Sequence, residues 1–365
     1  MDQSKYKIYS TSKEAWDAMY QALFLARKSI YWQLYIFTDD EVGARFFDLL
    51  ENKVKEGVDI KIVVDSFGSF NISRKRLASL KNSGVDLLFF NTSQKRFRNL
   101  WKRFATRLHR KVLVVDEDVG FIGGVNIEKS MKNWMDIQVK IVGKAVHSLL
   151  RSFTKSYIMS GGEKDHVKHL LKYKFRVQND IEDLEFVYDE AGSKKSKTRK
   201  LYSEALLRAR ERVILFSPYY FPDKKFIKSL WAARKRGIKI DLLIPFRSDV
   251  QVAQYAAYTF FSLMKKIGVN IHFSDGMMHG KGVVVDEDWA MIGSSNIDKV
   301  SFYDNYEANV KLSEGNAVKK IKQTVLNWIE KSTPFDAEGW KKRGNWQKTK
   351  EWIALKLYKM WFPKE

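Results

Sequence analysis

The sequence repeats one pattern of elements twice, and this internal repeat constrains the fold more than any other feature. In each copy, a glycine ends a Lys/Arg-rich helical stretch and a β-branched strand follows it directly. The stretches 57–65 and 84–87 of the first copy match 237–245 and 268–271 of the second. An alternation of helices and strands predicts an α/β fold, with a largely parallel sheet in each copy. Two such copies predict a molecule with pseudo-twofold symmetry.

The repeat divides the 365 residues into four parts, and this length suits about two domains. We expect the first repeat over residues 1–160 and the second over residues 201–333. Residues 161–200 are polar and predict a linker, with one short strand at Leu184 to Tyr188. Residues 334–365 form a basic tail that carries four of the eleven tryptophans.

Each repeat ends in the same polar signature at the same spacing. It reads His-x-Lys, four residues, Asp, six residues, then Gly-Gly/Ser-x-Asn. Six specified residues that recur at matching places in two repeats predict a shared functional site. The first copy is His109, Lys111, Asp116, Gly123, Gly124 and Asn126, and the second is His279, Lys281, Asp286, Gly293, Ser294 and Asn296.

These residue types suit chemistry on a phosphodiester. Side chains two residues apart on a strand face the same side, so His109 and Lys111 converge on one ligand. Lysine supplies a point charge for phosphate, and Asn126, Asn296 and Ser294 offer hydrogen bonds to its oxygens. One histidine can attack phosphorus while the other protonates the leaving oxygen. The residues alone leave open which histidine attacks, and because the lysines stabilise the charge we expect no metal and no cofactor.

A histidine nucleophile needs a partner that fixes its tautomer. Asp136 and Glu307 follow the two signature histidines by 27 and 28 residues, and we expect them to orient the imidazoles. The signature residues Asp116 and Asp286 have two interpretations. They are candidate catalytic residues, or they fix the turn after the strand that carries the signature.

The paired signature resembles that of the phospholipase D superfamily, and within it the chain is similar to the bacterial-type cardiolipin synthases. The supporting stretches are 35–37, 109–116, 121–127, 217–223 and 292–298. The resemblance implies two α/β/α sandwich halves with the active site at their interface.

The same resemblance implies a reaction, transfer of a phosphatidyl group from phosphatidylglycerol to a second phospholipid hydroxyl. It also implies that His109 is the nucleophile and His279 the general acid. The sequence departs from the family pattern at Gln33, where members often carry Glu, and it lacks the two membrane-spanning helices with which many members begin.

Charge and composition restrict the partners. Lys plus Arg number 65 against 43 Asp plus Glu, a net charge of +22, which favours a polyanionic partner. The absence of cysteine excludes disulfides, thiolate metal ligands and a cysteine nucleophile. No apolar run reaches the ~18 residues of a membrane span, and the first nine residues contain no signal-peptide core. We therefore expect a peripheral protein on the cytoplasmic face of the cell membrane.

Two basic segments rich in aromatic residues are candidates for membrane contact. Residues 94–108 place Phe97, Trp101 and Phe104 on one face of a predicted amphipathic helix with Lys and Arg around it. In the tail, Trp352 and Trp361 lie among lysines. The alternative in both cases is a helix that packs against the body of the protein.

Three functions compete at this point. The leading one is a cardiolipin synthase-like phosphatidyltransferase that acts on phosphatidylglycerol, and also on phosphatidylethanolamine, at an anionic phospholipid surface. A phospholipase D or nuclease would use water instead, and the positive charge suits nucleic acid as well. A lipid-binding protein without catalysis is the third. A monomer is sufficient for activity because one chain carries both signatures.

Overall fold

The computed structural model describes residues 6–91, 106–172, 184–313 and 315–361. In the first half, strands and helices alternate as far as Phe90, and further strands and then helices follow. They are β1 (Tyr6–Thr11), α1 (Ser12–Phe24), β2 (Ser29–Leu34), α2 (Glu41–Lys55), β3 (Asp59–Asp65), α3 (Arg74–Ser83), β4 (Asp86–Phe90), β5 (Val112–Val115), β6 (Val119–Gly123), β7 (Met135–Val142), α4 (His147–Met159) and α5 (Lys164–Val167).

The second half repeats this order. Its elements are β8 (Leu184–Asp189), α6 (Lys197–Arg208), β9 (Arg212–Phe216), β10 (Tyr220–Phe221), α7 (Lys224–Lys235), β11 (Lys239–Pro245), α8 (Gln251–Ile267), β12 (Asn270–Ser274), β13 (Gly282–Val285), β14 (Trp289–Gly293), β15 (Ile297–Asp298), β16 (Glu307–Leu312), α9 (Gly315–Glu330), β17 (Thr333–Pro334), α10 (Ala337–Lys341) and α11 (Asn345–Trp361).

The two large sheets have matching strand orders. The first runs β1-β7-β6-β5-β2-β3-β4. Written in the corresponding direction, the second runs β8-β16-β14-β13-β9-β11-β12-β17. Strands β2, β3 and β4 pair in parallel, as do β9, β11 and β12, whereas the other pairs of these two sheets are antiparallel. The prediction of an α/β fold is confirmed, but the prediction of a largely parallel sheet is wrong. The helix crossovers impose parallel pairing only on the three strands that they join in each half, and tight turns such as β5–β6 impose antiparallel pairing.

Local sequence signals set the helix ends. Asp40 caps α2 by accepting hydrogen bonds from the backbone N–H groups of Val42 and Gly43. Ser73 caps α3, and Gly84 ends that helix with a left-handed φ of 98°. Gly268 ends α8 in the same way at φ 93°, so the glycines recognised in the repeat do mark helix ends.

The halves share one hydrophobic core where their sheets meet. Ile122 and Val139 of the first sheet and Ile292 and Val310 of the second are fully buried in the same cluster. Close packing at this depth fixes the two halves against each other, because a displacement would open cavities in the core. The signature strands β5 and β13 lie next to this shared core.

The end of the linker and the tail join the second half. The predicted short strand is confirmed as β8, which pairs with the edge strand β16. The tail helix α11 packs on α8 and buries Ala354 and Glu351, and the Glu351 carboxylate accepts hydrogen bonds from Arg343. The docked alternative for the tail is therefore right for one face of α11.

Candidate active site

The two signature histidines occupy equivalent places, just before β5 and β13. His109 and His279 are buried, with 7% and 5% of their surfaces exposed. Lys111 and Lys281 are buried as well, and the Nζ atom of each donates to the main-chain oxygen of its own histidine. The repeat therefore builds the same pair of side chains twice, at the edge where the halves meet.

The carboxylates that hold the histidines come from the opposite half. Nδ1 of His109 lies 3.0 Å from both carboxylate oxygens of Glu307, and Nδ1 of His279 lies 2.6 Å from Oδ2 of Asp136. The sequence identified the two carboxylates but not this crossing, because a spacing along the chain does not say which half completes which pair. Since both Nδ1 atoms are engaged, Nε2 is the nitrogen that each histidine presents to a ligand.

Backbone hydrogen bonds enforce the crossing. His109 N donates to Tyr306 O at 3.0 Å, and Tyr306 immediately precedes Glu307. In the symmetric contact, His279 N donates to Met135 O at 2.7 Å, and Met135 immediately precedes Asp136. Each histidine is therefore fixed by both the main chain and the side chain of the other half.

Burial sets the charge state of the imidazoles. It lowers the pKa of His109 to about 4, although Glu307 acts in the opposite direction. Burial also lowers the pKa of His279, and the positive charge of Lys281 adds to that effect. Burial alone would raise the pKa values of Asp136 and Glu307, but the histidine contacts, the lysine charges and further hydrogen bonds together outweigh it, and the net shifts are downward. At neutral pH the site therefore pairs neutral imidazoles with ionised carboxylates.

The two lysines are close enough to influence each other. Burial lowers the pKa of Lys281 to about 8, partly offset by the Asp136 charge. The pKa of Lys111 is lowered well below its usual value, first by burial and then by Lys281. Two buried ammonium groups that disfavour each other's charge gain most from an anion placed between them.

Aromatic rings line the histidines, a feature that the signature does not encode. The ring of Tyr35 lies edge-on to His109 at 4.9 Å, and Trp134 lies 5.2 Å from His279. In the second half, the Tyr219 hydroxyl donates to Asp249 at 2.8 Å. Tyr35 and Tyr219 lie in stretches that support the family resemblance, but only the structure places them at the site.

The residue after the signature glycine differs between the halves, since it is Gly124 in the first half and Ser294 in the second. At Gly124 a Cβ atom would collide with the Asp136 carboxylate. The matching Ser294 donates its hydroxyl to Glu307 and accepts from Ala308 N. We predicted a phosphate contact for Ser294, but its hydroxyl is used to position the Glu307 carboxylate.

The two signature asparagines are buried at the site. Asn126 Oδ1 accepts a hydrogen bond from Ile36 N at 3.1 Å. Asn296 Oδ1 finds no hydrogen-bond partner within the described parts of the chain. A phosphate contact through their amide N–H groups stays a prediction.

The signature aspartates lie at the far ends of β5 and β13, away from the histidines that precede these strands. Asp116 accepts hydrogen bonds from the backbone N–H groups of residues 27–29, and Asp286 accepts them from residues 210–212. Both residues have a left-handed φ, 53° and 52°. The structure corrects their assignment as catalytic residues and favours the turn-fixing interpretation.

Arg110, the variable residue of the first His-x-Lys, was not predicted to matter. It is buried, and its guanidinium donates to Glu307 O at 3.1 Å, to Asp189 O at 3.2 Å and to the Glu190 carboxylate at 3.0 Å. The second half has Gly280 at this position. Arg110 therefore ties the first signature to the strand that carries Glu307.

The structure describes only one of the side chains that are candidates for membrane contact. Phe97, Trp101 and Phe104 lie outside the described residues, and the side chain of Trp361 does too. Trp352 projects from the outer face of α11 with 55% of its surface exposed, and Lys356 lies 3.9 Å from its ring. In the described chain, no helix combines the length and the apolar character needed to cross a membrane.

Comparison with known proteins identifies the class. The family described as "Cardiolipin synthase, PLD-like domain" matches residues 19–157 and 202–329, which are the two repeats. The chain belongs to this family. A "Cardiolipin synthase 2" from Bacillus cereus is 30% identical over 350 residues, which make up 93% of this chain and 68% of that protein. A "Cardiolipin synthase" from Staphylococcus aureus is 29% identical over 361 residues, 96% of this chain and 72% of that protein.

Solved structures share the fold at low identity. The phosphatidylserine synthase of Haemophilus influenzae superimposes with a TM-score of 0.73 at 12% identity, covering 98% of this chain and 93% of that one. The polyphosphate kinase of Porphyromonas gingivalis gives a TM-score of 0.62 at 13% identity, with 91% and 49% coverage. These matches confirm the two-half phospholipase D-type fold.

Proposed function

We propose that this protein is a phosphatidyltransferase of the cardiolipin synthase type, which moves a phosphatidyl group from phosphatidylglycerol to a hydroxyl of a second phospholipid. The observation that carries the proposal is the pair of crossed His–carboxylate contacts beside two buried lysines, in a chain that belongs to the cardiolipin synthase family. This constellation suits a two-step displacement at phosphorus.

In the first step, Nε2 of His109 attacks phosphorus, and the bond from phosphorus to the departing glycerol oxygen breaks. His279, protonated when the anionic phosphodiester raises its pKa, gives the Nε2 proton to that oxygen. Lys111 and Lys281 stabilise the charge on the non-bridging oxygens. The product is a phosphohistidine at residue 109.

In the second step, His279 takes the proton of the incoming hydroxyl, whose oxygen attacks phosphorus and breaks the phosphorus–nitrogen bond. Glu307 and Asp136 stabilise the imidazolium forms of His109 and His279 through Nδ1. The chain needs both halves for this cycle but only one copy of itself. Phosphatidylethanolamine has no free headgroup hydroxyl, so in this cycle it would serve as a phosphatidyl donor that releases ethanolamine.

Lipid products test the proposal directly. Purified protein is incubated with detergent-dispersed phosphatidylglycerol, with and without phosphatidylethanolamine, beside the His109→Ala variant. We expect the wild type to form cardiolipin and the variant to form none, as measured by mass spectrometry. Phosphatidic acid without cardiolipin would instead identify a phospholipase D. A protein that forms no lipid product but cleaves nucleic acid in a separate assay would be a nuclease.

A further inference from the structure

Two loops at the carboxyl ends of equivalent strands expose apolar side chains beside the site. The loop after β3 exposes Phe67 and Phe70, at 60% and 72% of their surfaces. The loop after β11 exposes Phe246 and Val250, and the first turn of α8 exposes Val252, each at about half of its surface. Apolar groups of this size are rarely left in water in such a cluster without a partner.

Both loops border the catalytic residues. The Phe67 ring lies 4.7 Å from the guanidinium of Arg107, two residues before His109, and Ser69 Oγ donates to Tyr35 O. In the other loop, Asp249 accepts from the Tyr219 hydroxyl and its charge acts on His279. The exposed side chains therefore surround the place where a substrate must enter.

Side-chain hydrogen bonds support the backbone of both loops. The buried Asp65 carboxylate accepts the backbone N–H groups of Phe67 and Gly68. Ser248 Oγ accepts from Val250 N in the second loop. These hydrogen bonds stabilise the backbone conformation that presents the apolar side chains to solvent.

The first loop is basic, and the second carries no net charge. Residues 66–75 contain Arg74 and Lys75 and no acid, and residues 246–252 contain Arg247 and one acid, Asp249. The apolar surface continues onto the tail helix. Lys350 lies 5.8 Å from the Tyr255 ring, one turn after Val252, and 5.5 Å from the exposed Trp346 ring. Aromatic residues flanked by lysine are typical of proteins that bind at the surface of an anionic bilayer.

We infer that these two loops and the outer face of α11 form one docking surface for an anionic phospholipid bilayer, with Phe67, Phe70, Phe246, Val250 and Val252 inserted among the headgroups around the site. The inference rests on the proposed function, because a lipid substrate explains why the apolar rim surrounds the catalytic residues. The occupant is a lipid surface rather than a protein partner, since the first loop carries only basic charges and Lys350 of α11 lies beside the helix that follows the second loop.

The chain contains no cysteine, so single cysteines can carry a fluorophore at chosen positions. Phe70→Cys and Val250→Cys, each labelled with an environment-sensitive dye, are mixed with vesicles of phosphatidylglycerol and phosphatidylcholine in the His109→Ala background, which prevents turnover. We expect a blue shift and an increase in emission at both positions. The matched control is Leu25→Cys, which is equally exposed but lies before the amino end of β2, at the opposite edge of the sheet, and should not respond.

Co-sedimentation measures the contribution to affinity. The double variants Phe67→Ser/Phe70→Ser and Phe246→Ser/Val250→Ser should each bind these vesicles about tenfold more weakly, because apolar area no longer leaves water. The double variant Phe24→Ser/Leu25→Ser should bind like the parent. All three pairs change exposed side chains, and circular dichroism verifies that the variants fold.

The two proposals fail in different ways. Silent labels at positions 70 and 250 on a protein that sediments with the vesicles would overturn the docking surface, even if detergent-dispersed phosphatidylglycerol yields cardiolipin. Responsive labels without any cardiolipin would leave the docking surface standing and overturn the proposed transferase.

Discussion

At the scale of single residues, the crossed contacts define what each carboxylate does. Glu307 and Asp136 are ionised, buried and bonded to the Nδ1 atoms of the opposite histidines. A group in this position selects the tautomer whose Nε2 faces the ligand and stabilises the imidazolium that forms during the reaction. The role is electrostatic and directional, so it depends on charge as well as on shape.

Replacing Glu307 by Gln should lower kcat by about 10²–10⁴. The amide keeps the shape but loses the charge that raises the pKa of His109. The pKa of His109 should therefore fall further, which NMR titration of the imidazole can measure. The matched control is Glu185→Gln, an exposed carboxylate that pairs with Lys311 on the same sheet. An unchanged kcat would remove Glu307 from the mechanism.

Anion binding should weaken as the pH rises through about 8. The folded-state pKa of Lys281 is lowered to about 8, so its positive charge is present below that pH and lost above it. Sulfate stays a dianion over this range, and its dissociation constant, measured by calorimetry, should rise above pH 8. In Lys281→Arg the rise should be shallower, because only Lys111 still titrates. A pH-independent constant in the wild type would contradict this assignment.

At the scale of elements, the turn between β6 and β7 has less room than its counterpart between β14 and β16. Gly124 leaves space for Asp136, whereas Ser294 donates to Glu307. Gly124→Ala should push the Asp136 carboxylate away from His279 and lower kcat by at least about tenfold, through the lost orientation of the general acid. Gly344→Ala, where an added Cβ meets open space, is the control. Full activity of Gly124→Ala would show that the site tolerates the displacement.

Arg110 connects the first signature with β16 and with the chain after β8. Arg110→Lys keeps the charge but loses the planar guanidinium. A lysine ammonium cannot donate to Glu307 O, Asp189 O and the Glu190 carboxylate at the same time. We expect the free energy of unfolding, measured in urea, to fall by about 1–3 kcal/mol. Because Arg110 positions Glu307, kcat should also fall while the protein is still folded. Arg208→Lys, at an exposed helix end, should change neither quantity.

The sequence predicted the two repeats and the histidines, lysines and carboxylates that the structure brings together, because both depend on local patterns. Repeated spacing identified His109, Lys111, His279 and Lys281, and it selected Asp136 and Glu307 as partners. The crossing of these pairs and the burial of Arg110 depend on packing between the halves, which no local pattern encodes. The antiparallel strands were missed because a short apolar run has the same appearance in either direction.

At the scale of the whole molecule, the pseudo-twofold symmetry is close at the backbone and broken in the side chains. Each half supplies one histidine and the carboxylate for the other, so neither half contains a complete pair. Different residues occupy equivalent positions of the two halves. The pairs are Gly124 and Ser294, Arg110 and Gly280, and Asp136 and Glu307. Because their surroundings differ, two equivalent histidines can take different roles in the reaction, one as the nucleophile and one as the general acid.

A phosphatidyl ester of p-nitrophenol separates these tasks, because its leaving group departs as the phenolate without a proton from the enzyme. His279→Ala should then release about one phenolate per chain in a burst and retain the phosphatidyl group on residue 109, since no base activates the second step. His109→Ala should show no burst. Mass spectrometry of the alkali-quenched protein locates the adduct, and His147→Ala, outside the site, serves as the control with continuous turnover. A burst from His109→Ala with the adduct on residue 279 would reverse the two roles and leave the two-step chemistry intact.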